Sequence, residues 1–165
     1  MGFSEDLEQI ALQERELVFP QFNAATAWEL GVSLRNMAAE RNLPIVIDIR
    51  RFGQPIFYAA MEGTTPDNVE WVRRKSNVVA RFHHSSYASG LKEKIKNQTL
   101  LESQGLPISD YCTHGGSFPL TVAGAGVIGS ITVSGLPQRS DHELVVEALC
   151  ALLGKNYNQL RLAKE

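Results

Sequence analysis

A chain of 165 residues, 44% hydrophobic and 21% charged, can bury one core but not several, so residues 1–165 are expected to form a single domain. A net charge of −2 lacks the basic excess of a nucleic-acid binder, and no apolar run reaches the ~18 residues of a membrane span, so neither partner is expected. The acidic, amphipathic N-terminal stretch is unlike a signal peptide, and two cysteines, Cys112 and Cys150, make no disulfide framework; the expected compartment is the cytoplasm.

Ser4 is positioned to cap a first helix whose inner stripe is Leu7, Ile10, Ala11 and Leu17. Asn23 caps a second, with Ala27, Leu30, Leu34, Met37 and Ala38 at helical spacing, and Pro44 ends it. Ile45 to Arg50 reads as a strand, Ile45, Ile47 and Ile49 on one face and Val46, Asp48 and Arg50 on the other. Arg51-Phe52-Gly53-Gln54 turns the chain into a partner strand, Pro55 to Met61. Thr65-Pro66 opens a third helix with Thr as cap and Pro in the first position. Val69, Val72, Val79 and Phe82, with Ser76, make its inner stripe, and Arg73, Arg74, Lys75 and Arg81 fall mostly outside it. Ser85 to Gly90 bends or breaks this helix, Leu91 to Thr99 resumes helical composition, and Leu101 to Tyr111 is a loop.

Pro119 to Ala123 and Val127 to Val133 read as a second hairpin, joined by Gly124-Ala125-Gly126. Gly124 to Gly129 also spells G-x-G-x-x-G, but the dinucleotide mechanism needs a helix to open inside that motif. Here Ser130 to Val133 continues as strand and Gly135 and Pro137 follow, so the glycines are turn residues. Ser140-Asp141-His142-Glu143 fits a capping box for a last helix with Val145, Ala148, Leu149, Leu152 and Leu153 on its inner side. Two hairpins with helices around them predict an antiparallel α+β domain.

Several of these stretches carry a resemblance. Gly115-Gly116 followed by Pro119, the glycine-broken run from Val127 to Gly135 and the acidic start of the last helix resemble the haem-degrading-domain family, also called HbpS-like or GlcG-like. The chain looks like a branch of it that carries Trp71-Val72-Arg73-Arg74-Lys75, His114-Gly115-Gly116-Ser117-Phe118-Pro119 and Ser134-Gly135-Leu136-Pro137-Gln138, with Asp141-His142 after them. The resemblance implies a profilin-like fold, an antiparallel sheet with helices packed on its faces, and self-association into a symmetric homo-oligomer. It also implies haem as a possible ligand or cofactor, since some relatives bind or degrade haem while others accompany small-acid metabolism.

His114 with Gly115 and Gly116 is the leading candidate site. Two glycines let backbone N–H groups converge on an anion, and the imidazole can donate, accept or ligate; equally, the glycines can serve only to shape a tight entry into the strand. Arg73 and Lys75 are candidates to meet a propionate or phosphate, or else lie on a solvated face. Asp48, a carboxylate in an apolar strand, is either a ligand contact or the partner of Arg50 or Arg51 at a sheet edge. Cys112 and His114 fall short of the three or four ligands of a metal site. His83 and His84, ~100° apart on a helix, would not face one ligand together, and His142 belongs to a cap. No nucleophile, base and acid assemble into a catalytic set. Two functions follow: a small-ligand-binding protein, with haem binding or degradation in view, or a non-enzymatic homo-oligomeric scaffold.

Overall fold

A computed structural model describes residues 2–164. Strands β1 (Val46–Arg51), β2 (Gln54–Ala60), β3 (Ser117–Val122) and β4 (Gly126–Ser134) form one open sheet in the order β2-β1-β4-β3. Every neighbouring pair is antiparallel, and the two hairpins meet through the central β1 and β4, with Ile47 opposite Val133 and Ile49 opposite Ile131. The helices are α1 (Phe3–Glu16), α2 (Ala24–Glu40), α3 (Pro66–Phe82), α4 (Ser86–Lys96), α5 (Leu100–Gln104), α6 (Gln138–Leu153) and α7 (Tyr157–Leu160). The expected α+β class is found, and the glycine-rich run is turn and strand with no helix mouth.

The two faces of the sheet differ in chemistry because its strands alternate. Ile47, Ile49, Phe118, Leu120, Ile131 and Val133 point to one side and pack with α2 and α6 into the main core. The opposite side carries Val46, Asp48, Ser117, Ser130, Thr132 and Ser134, all buried, and α3 crosses it. Ser117 Oγ and Thr132 Oγ1 satisfy each other there at 2.9 Å. A polar layer between helix and sheet thus sits beside an apolar one.

Several boundaries move from their sequence-based places. Helix α1 starts at Phe3, where the Gly2 N–H donates to Glu5 Oε2 at 3.0 Å, so Ser4 lies inside the helix. Helix α6 starts at Gln138 with Pro137 before it, one turn short of needing Ser140. Helix α3 ends at Phe82, and His83 takes a left-handed conformation, φ 59°. His83 and His84 are therefore off the helix, and Ser85, expected in a bend, caps α4 by accepting the Ala88 N–H at 3.1 Å. Part of the stretch from Leu101 to Tyr111 is helical as α5, and α7 has no counterpart in the sequence pattern. Along α3, Val69 is 42% exposed and Lys75 is buried, which reverses two assignments, and Val78 joins the inner stripe.

Candidate functional site

Helix α3 presents Asn68, Trp71 and Lys75 at i, i+3 and i+7, one face of a 3.6-residue helix. They line a recess of about 250 Å³ with His114 and the turn from β4 into α6, which contributes Ser134, Gly135, Leu136, Gln138 and Asp141. Lys75 Nζ donates to Asp141 Oδ2 at 3.1 Å, and both side chains are nearly inaccessible to water. Asp141 also accepts the Leu136 N–H at 2.9 Å and the Gly135 N–H at 3.3 Å. It thereby ties the turn to the helix. Burial raises its carboxyl to about 6 even though Lys75 and the two N–H groups favour the charged form.

The two glycines are set by steric demand. At Gly116, φ 134°, a side-chain carbon would sit 2.3 Å from the Val133 carbonyl oxygen and 2.9 Å from Lys75 Nζ. At Gly115 it would sit 2.4 Å from the Gln138 carbonyl oxygen and 3.1 Å from the Tyr87 ring. The Gly115 N–H donates to Gln138 Oε1 at 3.0 Å and the Ser117 N–H to Ser86 Oγ at 3.1 Å. Both positions therefore admit only glycine.

His114 is the exposed member of the group. Its ring stacks on Trp71, centroids 5.4 Å apart and planes 24° from parallel, while Trp71 Nε1 donates to Asp67 Oδ2 at 3.1 Å. The Arg74 guanidinium lies 4.4 Å from the Trp71 ring centroid. Partial burial, then the charges of Lys75, Arg74 and Lys94, hold the His114 pKa below its ordinary value, so the imidazole is neutral at pH 7 and keeps a lone pair.

The other sequence candidates lie elsewhere. Arg73 binds Glu70 at 3.0 Å, Asp110 at 3.1 Å and the Ser109 carbonyl at 2.8 Å, on the outer side of α3. Asp48 does pair with Arg50, at 2.8 Å, but in a central strand and not at a sheet edge. Its Oδ2 is buried without a hydrogen-bond partner among the described residues, and burial raises its pKa. Asp141 and Gln138 were not singled out as site residues from the sequence. The i, i+3, i+7 spacing of Asn68, Trp71 and Lys75 is the signal for the helical wall, and the turn residues are marked only by the motif Ser134 to Gln138 with Asp141 after it.

The family model described as "Haem degrading protein HbpS-like" matches residues 22–150. The chain belongs to the HbpS-like family. A UPF0303 protein of Paraburkholderia phymatum is 61% identical over 164 residues, 99% of each chain. Among solved structures, the Ybr137w protein is 29% identical with a TM-score of 0.84, over 90% of this chain and 87% of that one. The PduOC:heme complex aligns with a TM-score of 0.65 and 20% identity, over 81% of this chain and 95% of that one, a likeness of fold. No described helix is long and apolar enough to cross a membrane, and the described residues hold no cluster of three potential metal ligands.

Proposed function

We propose that this protein binds a small ligand at the His114 recess, and that a planar ring with a coordinating centre, haem foremost, is the class it takes. The observation that carries this is the exposed His114 imidazole stacked on Trp71 beside a recess whose buried charges are already paired. A neutral imidazole would hold haem iron, and Trp71, stacked on one face of that imidazole, would orient it. The recess alone, about 250 Å³ and largely polar, is below the usual size of a ligand pocket, so the residues fit a haem that is ligated and partly exposed, not one swallowed by the domain. Haem, when bound, supplies iron and redox chemistry. The chain's own part would be to offer His114 Nε2 or Nδ1, to fix the orientation of that imidazole through Trp71, and to keep the wall rigid through the Lys75–Asp141 pair. The PduOC:heme complex, with the same fold, supports haem as the first ligand to test. Titration of the protein with haem should give a saturable Soret shift at micromolar protein that His114→Ala removes. A spectrum that stays that of free haem would reject haem as the ligand.

Assembly is the second reading, and it has its own observation. Strand β2 is an open edge of the sheet, flanked by Trp28 at 66% and Phe52 at 80% exposure. We therefore also propose a symmetric homo-oligomer, with haem binding and scaffold roles compatible in one molecule. Free, buried Cys112 and Cys150 suit a reducing compartment, in keeping with a cytoplasmic location.

A further inference from the structure

Beyond the end of α3, the same face of the sheet carries Pro119, Thr121 and Val127. Helix α3 stops at Phe82 and His83 turns left-handed, so α1 and α4 stand over these residues without closing on them. They leave a groove of about 390 Å³ walled by Leu7 and Ile10 of α1, Ala88 of α4, and Pro119 and Val127 of the sheet. That volume is in the range of small-molecule sites. Glu14 fixes the rim, accepting the Ser85 N–H at 2.7 Å and meeting His84 Nδ1 at 2.7 Å.

A polar hollow of about 220 Å³ adjoins this groove across His84 and Lys92, which line both. Ser89, Lys92 and Lys96 reach the hollow at i, i+3 and i+7, one face of α4. Ser89 is only 8% exposed, yet its hydroxyl has no hydrogen-bond partner among the described residues. Lys92 and Lys96 make no ion pair among them either. The carboxylate on this wall, Glu93, is engaged by the chain itself: Oε1 accepts the Leu100 N–H at 2.7 Å and Oε2 the Thr113 hydroxyl at 2.8 Å. Two cations and a buried, unanswered hydroxyl thus stand beside an apolar groove.

We infer that this face holds a second binding site, for an amphipathic acid whose apolar chain lies in the groove between α1 and α4 and whose oxyanion head pairs with Lys92 and Lys96 and accepts the Ser89 O–H. A carboxylate and a phosphate monoester offer the same acceptor oxygens, so either serves as the head. Burial of the chain drives binding, and the head sets its direction, because an uncharged chain leaves the ammonium groups and the hydroxyl unanswered. The site shares no lining residue with the His114 recess and does not depend on the ligand there.

Isothermal titration of the full chain tests this with decanoate, decyl phosphate and decanol, all kept below their aggregation limits. At least one of the anions should bind saturably at one per chain, and decanol at least about tenfold more weakly, as loss of a charge-assisted contact requires. Lys92→Gln/Lys96→Gln should weaken the anions by a similar factor and leave decanol unchanged. Ala11 is exposed on α1 and lines the groove, so Ala11→Phe should fill it and abolish binding of every chain while circular dichroism stays unchanged. His114→Ala should alter none of these affinities; loss of anion binding there would overturn a separate site. The tighter of decanoate and decyl phosphate names the head, and either upholds the inference. Decanol as tight as the anions, or anion binding that survives Ala11→Phe, overturns it. So does an absence of saturable binding, and if Ala11→Phe then lowers the mass in light scattering, the groove belongs to a second copy of the chain.

Discussion

His142 shows how a single buried ring governs pH response. It is fully buried in α6, against the Tyr87 and Phe118 rings. Gln13 Nε2 donates to the Leu160 carbonyl and to Glu143, so Gln13 Oε1 is an acceptor and the His142 Nε2 at 2.7 Å must carry the proton. Nδ1 is then a bare lone pair with no partner among the described residues. Burial, with Arg139 adding to it, lowers the pKa to about 3. A histidine whose folded pKa is depressed contributes stability that is present above its unfolded value, 6.5, and is lost as pH falls toward 3. Its neighbour Asp141 runs in the same sense of proton uptake but the opposite sense of stability. With a folded pKa near 6 against 3.8, Asp141 is most stabilising below 3.8 and loses that contribution as pH rises through 6. The two slopes oppose each other between about pH 6 and 4. Replacing His142 with Gln, a non-titrating donor to Gln13, should expose this. In urea melts the stability gap between wild type and His142→Gln should shrink or invert by about 1.4 kcal/mol per pH unit below 6.5. A gap that stays constant from pH 7 to 4 would refute the assignment.

At the level of elements, the β1–β2 hairpin shows a local conflict that tertiary structure tolerates. Its loop is Phe52-Gly53, with φ of 49° and 79°, the two positive values of a type I′ turn. Gly53 is suited to this, whereas Phe52 pays a steric cost at a position where its ring is 80% exposed. Phe52→Asn should raise stability by about 0.5–1 kcal/mol in chemical denaturation, because Asn tolerates the left-handed region and little packing is lost. A loss of stability would mean that Phe52 packs against something, such as a second subunit. The hairpins themselves were legible because alternation and glycine loops are local signals. So were α2 and α3, whose Asn23 and Thr65-Pro66 starts coincide with the structure. The S-x-x-E pattern at Ser140 misled because Asp141 turns inward to cap the Ser134–Leu136 turn and hold Lys75, a contact 66 residues apart that no spacing rule reveals. For the same reason Lys75 read as surface. His114 was visible as a candidate, but its stacking on Trp71 depends on α3 crossing the sheet.

For the molecule as a whole, the sheet manages its two edges differently. At β3 the backbone is occupied: Phe19 N–H donates to the Thr121 carbonyl at 2.8 Å, Ala123 N–H donates to Phe19 at 2.8 Å, and Ser86 takes the Ser117 N–H at 3.1 Å. Pro119, between them, has no N–H to offer. At β2, which packs on α2 through Phe57, no described strand pairs with the outer backbone edge of Gln54–Ala60; Pro55 lies beside the turn, and Tyr58 is 46% exposed. An open edge of this length next to Trp28 invites another strand, and a two-fold axis through it would pair β2 with β2 of a second copy in antiparallel register. Such an interface buries the exposed aromatics without disturbing the α3 side, so the His114 recess would stay accessible in the assembly. Light scattering after size exclusion should therefore give a mass at least twice the 18.2 kDa of one chain. Tyr58→Lys, which places a charge on the edge, should shift that mass toward the monomer while circular dichroism stays unchanged and haem titration still reaches saturation. A wild-type protein that is monomeric at every concentration would eliminate the assembly. An oligomer indifferent to Tyr58→Lys would place its contact on another face.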